Sequence, residues 1–147
     1  MDSLPNTLFV GKVLHRLKSV DSTNNFARAL LSKTNPPEGT AIIAQNQTRG
    51  RGQIGTTWES ADGMNILLSV ILYPTFLPPT QQYELNKAVA LAVYETVTHF
   101  CGNEASIKWP NDIFWKDKKV VGMLVENAIT PTKIESSIIG IGLNVNQ

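Results

Sequence analysis

Residues 81–100 carry the clearest helical pattern in the sequence, and that pattern restricts how the rest of the chain can fold. Apolar side chains recur on one face of this segment at helical spacing, among them Leu85, Val89, Val93 and Val97. A helix with one apolar face has to pack that face against another element. The remaining apolar segments are the length of single strands, so we expect the partner to be a β-sheet.

The apolar segments outside this helix are short. Seven of them favour β-structure by their apolar and β-branched content: residues 8–14, 40–45, 64–72, 106–109, 113–116, 120–126 and 134–145. A second helix is predicted to begin at Asp21 or Ser22, either of which can cap it, and to run to about Ser32. The pattern therefore predicts an α+β domain in which helices pack on a mixed sheet.

The size and charge of the chain exclude several classes of protein. With 147 residues it is long enough for one domain with a real core and too short for two. Its apolar and charged fractions, 42% and 17%, are typical of a soluble globular protein rather than a disordered one. A net charge of +1 disfavours nucleic-acid binding through a large basic surface.

The compartment is predicted from a few absent features. Cys101 is the only cysteine and cannot form an internal disulfide, which favours a reducing environment. No apolar stretch approaches the length that spans a bilayer, so no membrane association is expected. Residues 1–6 are polar with a proline and do not look like a secretory signal. We therefore expect a cytoplasmic protein.

Residues 47–58 form a polar segment with three glycines. Glycines allow backbone N–H groups to converge on an anion, and Arg51 adds a planar set of donors for phosphate or carboxylate. Trp58 can offer a flat face to a purine. The spacing matches neither a Walker loop nor a dinucleotide-binding motif. From these residues alone, a flexible surface loop with a core tryptophan is the slightly better interpretation.

Residues 108–112, with the sequence Lys-Trp-Pro-Asn-Asp, place a cation, an amide and a carboxylate at a proline-braced strand end. Such a group can hold phosphate oxygens and a magnesium ion. Taken alone, an ordinary turn is the better interpretation. Lys119 opens the next predicted strand and can reach inward to a negative charge, although a solvated hairpin lysine is the commoner outcome.

Two further segments, and the rarity of histidine and cysteine, bear on the chemistry. The glycines within residues 140–146 suggest close approach of a ligand or another backbone, or a bulge. Residues 22–24 are at least a helix cap. His15 and His99 are far from these clusters, and with one cysteine they make a zinc site or a Ser/His/Asp triad improbable. Any chemistry should therefore work by positioning and charge stabilisation.

In order and content together, these segments resemble the biotin–protein ligase family. The matching pieces are residues 21–24, Gln47, residues 50–52, Trp58, residues 108–112, residues 119–126 and residues 140–144. The resemblance covers most of the chain, and the Lys-Trp-Pro-Asn-Asp box followed by Lys119 and Gly122 is its most specific part. It implies a mixed, largely antiparallel sheet with helices packed on it, the catalytic fold of biotin/lipoate ligases and class II synthetases.

The resemblance also implies an activity: ATP-dependent activation of biotin to biotinyl-5′-AMP, and transfer of biotin to a lysine of a biotin carboxyl carrier domain. The implied catalytic residues are Lys119, Arg51 and Asp112. Those implied to bind biotin are Ser22, Thr23, Gln47, Gly50, Arg51, Lys119, Gly122, Leu124 and Gly142. Those implied to bind ATP are Arg51, Gln53, Trp58, Lys108, Asn111, Lys119 and Asn144. Magnesium is expected near Asp112. Within these sets, Trp58 is expected against adenine, and Gly122, Leu124 and Gly142 around the biotin bicycle.

The chain departs from the family pattern in two respects. Many members carry arginines where this chain has Gln53 and Thr56, and Gln53 cannot supply the charge that helps to retain the adenylate. Members also continue into further structure and a small C-terminal barrel, so residues 1–147 are interpreted as the catalytic domain without that extension. No helix-turn-helix segment precedes it, so DNA is not an expected partner. The expected partners are biotin, ATP and the carrier protein or domain of a biotin-dependent carboxylase, and a homodimer is compatible with this interpretation.

Three alternatives remain open from the sequence. A lipoate–protein ligase forms an acyl-adenylate on a related fold, but the Lys-Trp-Pro-Asn-Asp box fits it less well. A non-catalytic biotin-binding or regulatory fragment would fit the ending of the chain and Gln53. A soluble α+β domain without a ligand requires five motif matches in order to be accidental.

Overall fold

The computed structural model describes residues 6–147, so most of residues 1–6, which we expect not to be a secretory signal, lie outside it. Seven strands form one sheet in the order β1-β2-β3-β7-β6-β5-β4. The strands are β1 Leu14–Val20, β2 Ala41–Gln47, β3 Asn65–Leu72, β4 Ala105–Lys108, β5 Asp112–Trp115, β6 Lys118–Ile129 and β7 Ile134–Asn144. The helices are α1 Thr23–Lys33 and α2 Gln82–Cys101, with a short 3₁₀ turn at Pro79–Gln81.

The sheet is mixed and largely antiparallel, as the resemblance implied. β1 and β2 run parallel, and the other neighbouring pairs are antiparallel. Parallel neighbours need a crossover connection, which α1 provides between β1 and β2. Ser22 caps α1 by accepting a hydrogen bond from the backbone N–H of Asn25, so the predicted start of this helix is confirmed.

The two helices cover opposite faces of the sheet. Ala27 of α1 packs with Ile42, Ile71 and Ile138. Leu85 of α2 packs with Ala41, Val70 and Ile139, and each of these is the neighbour in sequence of one residue in the first set. Successive side chains of a strand point to opposite faces, so this one-residue offset separates the faces. The remaining apolar face of α2, including Ala90 and Val97, packs on Ile113, Val121 and Met123.

The prediction of a first strand at residues 8–14 is wrong. Residues 8–13 form bends and turns, and only Leu14 belongs to a strand. The apolar character of the segment reflects Val10 and Leu14 packing beside the Leu85 cluster. The first strand is β1, which lies at the edge of the sheet with a mostly polar sequence. An edge strand with exposed side chains lacks the apolar alternation that identifies strands.

Within residues 6–147, no helix has the length and apolarity needed to cross a bilayer.

Candidate ligand-binding site

A cavity of about 200 Å³ lies over the centre of the sheet, on the face that also carries α1. Strand register builds its floor: Gly142 is paired with Leu67 on one side and with Gly122 on the other. Two residues earlier on the same strand, Gly140 is paired with Ser69 and Leu124. Because three of these positions lack a side chain, the floor is flat and other groups can approach it closely.

The indole of Trp58 lies on this glycine floor. A Cβ atom added at Gly122 would fall 2.6 Å from Cζ3 of the indole, and one added at Gly142 would fall 2.6 Å from Nε1. Real Cβ atoms do not approach other atoms so closely, so both positions require glycine while Trp58 stays there. Nε1 is buried without a hydrogen-bond partner among the described residues. The indole therefore covers the surface expected for the biotin bicycle.

The glycine segment forms a short hairpin. Arg51 and Thr57 form a bridge, the N–H of Gly52 donates to the carbonyl of Thr56 at 3.2 Å, and the N–H of Trp58 donates to the carbonyl of Gly50 at 3.0 Å. Gly50 has no space for a Cβ, because the carbonyl of Trp58 lies against its backbone. The hairpin consequently fixes Trp58 at its base, beside the cavity.

Lys119 and Asp112 form an ion pair at one side of the cavity. Their Nζ and Oδ1 atoms are 2.8 Å apart, and the side chains are 42% and 21% exposed. The contact is an ion pair rather than a hydrogen bond, because Oδ1 has no hydrogen-bond partner within the part of the chain that the structure describes. Nζ also lies 5.7 Å from the centroid of the Trp58 ring. The ammonium group is thus held at the edge of the glycine floor, within reach of a ligand acid.

Arg51 directs its guanidinium at Glu126 rather than into the cavity. Nη2 donates to Oε1 of Glu126 at 2.7 Å, while Nη1 donates to Oε2 at 3.1 Å and to Oδ1 of Asn25 at 3.0 Å. Burial alone would raise the pKa of Glu126, but hydrogen bonds from Arg51 and Asn24, with the charges of Arg51 and Arg28, hold it below its ordinary value. The charge of Arg51 is therefore largely compensated.

A buried polar network fixes the amide of Gln47 at the opposite side of the cavity. Its Oε1 accepts from the backbone N–H of Thr23 at 2.8 Å and lies 3.0 Å from the Thr23 hydroxyl. The hydroxyl of Ser69, fully buried, lies 2.8 Å from that of Thr23 and 2.6 Å from Oδ1 of Asn24. With Oε1 occupied, Nε2 is the part of the Gln47 amide that can donate to a ligand.

Comparison with known proteins assigns this arrangement to a family. The model of the biotin/lipoate A/B protein ligase family matches residues 17–144. The chain belongs to this family. It is 41% identical over 117 residues to the bifunctional ligase/repressor BirA of Bacillus subtilis, covering 80% of this chain and 36% of that protein. It is 32% identical over 131 residues to the biotin–[acetyl-CoA-carboxylase] ligase of Paracoccus denitrificans, covering 88% of this chain and 53% of that protein.

Solved structures agree with this assignment. The biotin protein ligase of Aquifex aeolicus, in complex with biotin and ATP, matches with a TM-score of 0.71 and 35% identity, covering 92% of this chain and 53% of that one. The biotin protein ligase of Leishmania major, in complex with biotin, gives a TM-score of 0.74 at 27% identity. The resemblance inferred from the motifs is confirmed, and the chain spans about a third to a half of the length of the relatives named here.

Most residues that the resemblance assigned to ligands in this biotin/lipoate ligase chain lie around one cavity. The cavity is lined by Ser22, Thr23, Gln47, Arg51, Gln53, Trp58, Asn111, Asp112, Lys119, Gly122, Leu124 and Gly142. Three others do not line it. Gly50 lies at the base of the hairpin, Lys108 has its Nζ 5.8 Å from the ring centroid of Phe114, and Asn144 donates to the carbonyl of Lys119 at 3.3 Å.

Several lining residues were not among those predicted. They are Asn24, Gly52, Thr56, Thr57, Leu67, Met123, Gly140 and Ile141. Gly140 had been considered with Gly142 as a position of close approach but was not assigned to a ligand, and strand alternation puts the two on one face, because residues two apart share a face. Glu126 was also missed, since its contact with Arg51 joins positions 75 residues apart and leaves no local signal.

Proposed function

We propose that this chain is the catalytic part of a biotin–protein ligase, which activates biotin with ATP to biotinyl-5′-AMP and transfers biotin to a lysine of a carrier domain. The observation that carries the proposal is the glycine floor of Gly122 and Gly142 beside the ammonium of Lys119. A flat apolar surface suits a compact bicycle, and the adjacent cation suits the acid at the end of its tail. Relatives named as biotin ligases support the choice of biotin.

The first chemical step joins two anions. An oxygen of the biotin carboxylate attacks the α-phosphorus of ATP, and the bond to the bridging oxygen breaks to release pyrophosphate. Lys119 is placed to offset the charge on the carboxylate and the α-phosphate, and the backbone N–H groups of the hairpin can add to this. Holding two reactants in line is worth about 7–11 kcal/mol in favourable cases.

The second step needs no protein nucleophile either. The amine of the carrier lysine attacks the acyl carbon of biotinyl-5′-AMP, AMP leaves, and the amine loses a proton to give the amide. We propose the carrier to be a protein or domain of a biotin-dependent carboxylase, following the name of the Paracoccus relative. A cytoplasmic location belongs to the same proposal, because the lone Cys101 suits a reducing compartment.

Binding of biotin is expected to move Trp58. The cavity of about 200 Å³ is smaller than the roughly 300–1,000 Å³ of most ligand pockets, and the indole accounts for part of the missing space. Displacing the indole exposes the two glycines to the bicycle. It also frees a flat face of the indole to pack against adenine. The Nε1 donor, which is now buried without a partner, would then be free to form a hydrogen bond.

Magnesium fits this site only as a companion of the nucleotide. Within residues 6–147, no group of three His, Cys, Asp or Glu side chains is arranged to hold a metal ion. Magnesium commonly binds through one or two carboxylates together with substrate phosphates. Asp112 can supply one such carboxylate beside Lys119, and the ion would then neutralise phosphate charge as pyrophosphate leaves.

The proposal is tested by incubating the purified protein with biotin and Mg-ATP and analysing it by mass spectrometry for bound biotinyl-5′-AMP. A parallel sample with lipoate in place of biotin tests the related activity, and addition of a carrier domain tests transfer. Adenylate with biotin and little with lipoate is expected. Preference for lipoate would reassign the substrate, and biotin binding by calorimetry without adenylate would leave a binding fragment instead.

A further inference from the structure

We propose that Glu126 is a positioning residue for the ligand site, and that it acts by clamping Arg51 so that residues 50–58 stay closed over the cavity. The identity of the ligand in this inference rests on the function proposed above. The clamp itself rests on contacts between Glu126, Arg51 and α1 that are independent of the ligand.

The carboxylate of Glu126 has both oxygens occupied. Oε1 accepts from Nη2 of Arg51 at 2.7 Å and from Nη2 of Arg28 at 2.5 Å. Oε2 accepts from Nη1 of Arg51 at 3.1 Å and from Nδ2 of Asn24 at 2.8 Å. Arg51 thus binds Glu126 through two parallel hydrogen bonds, which fix direction as well as distance. The Glu126 and Arg51 side chains are 21% and 35% exposed, so water screens the pair only in part.

These contacts join three elements at one point. Glu126 belongs to β6, Asn24 and Arg28 belong to α1, and Arg51 belongs to the hairpin. The backbone of Arg51 is in turn bridged to Thr57, which directly precedes Trp58. The position of Trp58 over the glycine floor therefore depends on where the guanidinium of Arg51 is held.

The clamp changes the role expected for Arg51. A guanidinium that neutralises a ligand phosphate should point into the cavity, whereas this one is paired with the Glu126 carboxylate and donates a hydrogen bond to Asn25. Replacing Glu126 by a neutral residue would leave the charges of Arg28 and Arg51 close together without the anion between them. The hairpin should then open, because repulsion replaces its main side-chain attachment.

The test compares Glu126→Gln with Arg28→Gln, which removes a 56% exposed partner of the same carboxylate but no contact with the hairpin. Trypsin cleavage after Arg51 reports hairpin opening, since the protease must take that side chain out of the clamp. We expect Glu126→Gln to speed this cleavage about tenfold. Biotin binding should weaken about tenfold, because losing the whole hairpin as a wall of the cavity outweighs the release of Trp58 from the glycine floor. Arg28→Gln should change each by less than about twofold, as exposed pairs contribute little.

A double mutant separates action through Arg51 from a general loss of stability. In an Arg51→Gln background, Glu126→Gln should have no further effect on biotin affinity, because the clamp is already absent. Additive losses would overturn the proposal, and so would faster cleavage with unchanged affinity. Should Glu126→Gln fail to fold, Arg51→Lys replaces it, since lysine keeps the charge but loses the paired hydrogen bonds and should show the same two effects.

The outcome is distinguishable from a failure of the proposed function. A wild-type protein that binds no biotin would refute the function, yet cleavage after Arg51 in the variants would still show whether the clamp exists. A wild-type protein that binds biotin, with Glu126→Gln identical to it in both measurements, would refute the clamp alone.

Discussion

The indole nitrogen of Trp58 lies 2.6 Å from the point where a Cβ of Gly142 would be, so the side chain of one residue fills the space that the other leaves empty. Nothing else in the described chain packs on Gly142 so closely from that face. The site is therefore partly filled by its own hairpin. Any ligand that uses the glycine floor has to compete with Trp58.

Replacing Trp58 by alanine should have opposite effects on the two substrates. Biotin should bind at least about threefold more tightly, because no indole has to leave the glycine floor first. ATP should bind more weakly, because the side chain that would pack on adenine is lost. Calorimetry with each compound measures both effects. Trp115→Phe is the matched control, since that indole bonds the carbonyl of Cys101 away from the cavity. Weaker biotin binding by Trp58→Ala would show that the indole is part of the biotin pocket rather than its competitor.

Replacing Lys119 by glutamine should stop adenylate formation while the fold is kept. The change removes the cation beside the reacting acid and leaves Asp112 without its partner, and a loss of about a hundredfold or more is expected from a group that stabilises developing charge. Biotin-dependent exchange of pyrophosphate into ATP measures the step. Lys118→Gln, at the exposed neighbouring position, should retain the wild-type rate. A Lys119 variant with normal exchange would remove this residue from the mechanism.

Replacing Gln53 by arginine should slow the release of biotinyl-5′-AMP. Gln53 lines the cavity, so the added charge can reach the phosphate, and a gain of about 1–2 kcal/mol would slow release roughly five- to thirtyfold. Stopped-flow dilution of preformed adenylate gives the rate. Ile54→Arg adds the same charge at a fully exposed side chain next door and should have little effect. Equal release from Gln53→Arg and the wild type would contradict the prediction.

The stability of the protein should depend on the ionisation of Glu126 at acid pH. Its folded-state pKa is held below the ordinary value near 4.5, so the stabilising effect is present above that value and is lost as the pH falls through the lower folded-state pKa. Urea unfolding at pH 7 and below pH 4.5 should show a smaller decline for Glu126→Gln than for the wild type. Asp21, whose pKa is also lowered, through its hydrogen bond from Asn25, titrates in both proteins, so the difference between them isolates Glu126. Parallel declines would mean that Glu126 contributes nothing in this range.

The parts of the fold that sequence could predict are those encoded by local repetition. The helix at residues 81–100 follows from its apolar spacing and is α2 to within one residue at either end. The strand β1 was missed because an edge strand can remain polar. Residues 8–14 were wrongly predicted as a strand because Val10 is apolar for packing without pairing, whereas Leu14 packs and also opens β1. Local pattern does not distinguish those two causes.

The residues of the site likewise fall into those that local motifs could predict and those that depend on contacts between distant segments. Motif residues such as Thr23, Gln47 and Lys119 lie around one cavity, and their roles in ligand binding stay predictions. The clamp between Arg51 and Glu126 and the contact of Trp58 with the glycines depend on how distant segments meet, so neither could be predicted from single motifs. The expectation that Trp58 packs on adenine remains untested.

Successive residues of β7 point to opposite faces of the sheet, and this has a consequence for how the sequence of the domain can evolve. Gly142 lies on the cavity face of the sheet under Trp58, and Gly140 lies on the same face against Asn24, whereas Ile139 packs on the α2 face. Substitutions at Gly142 should therefore mainly alter binding, whereas substitutions at Ile139 should mainly lower the stability of the fold. Changes at Gly142 can thus alter ligand recognition while the packing beneath α2 is preserved.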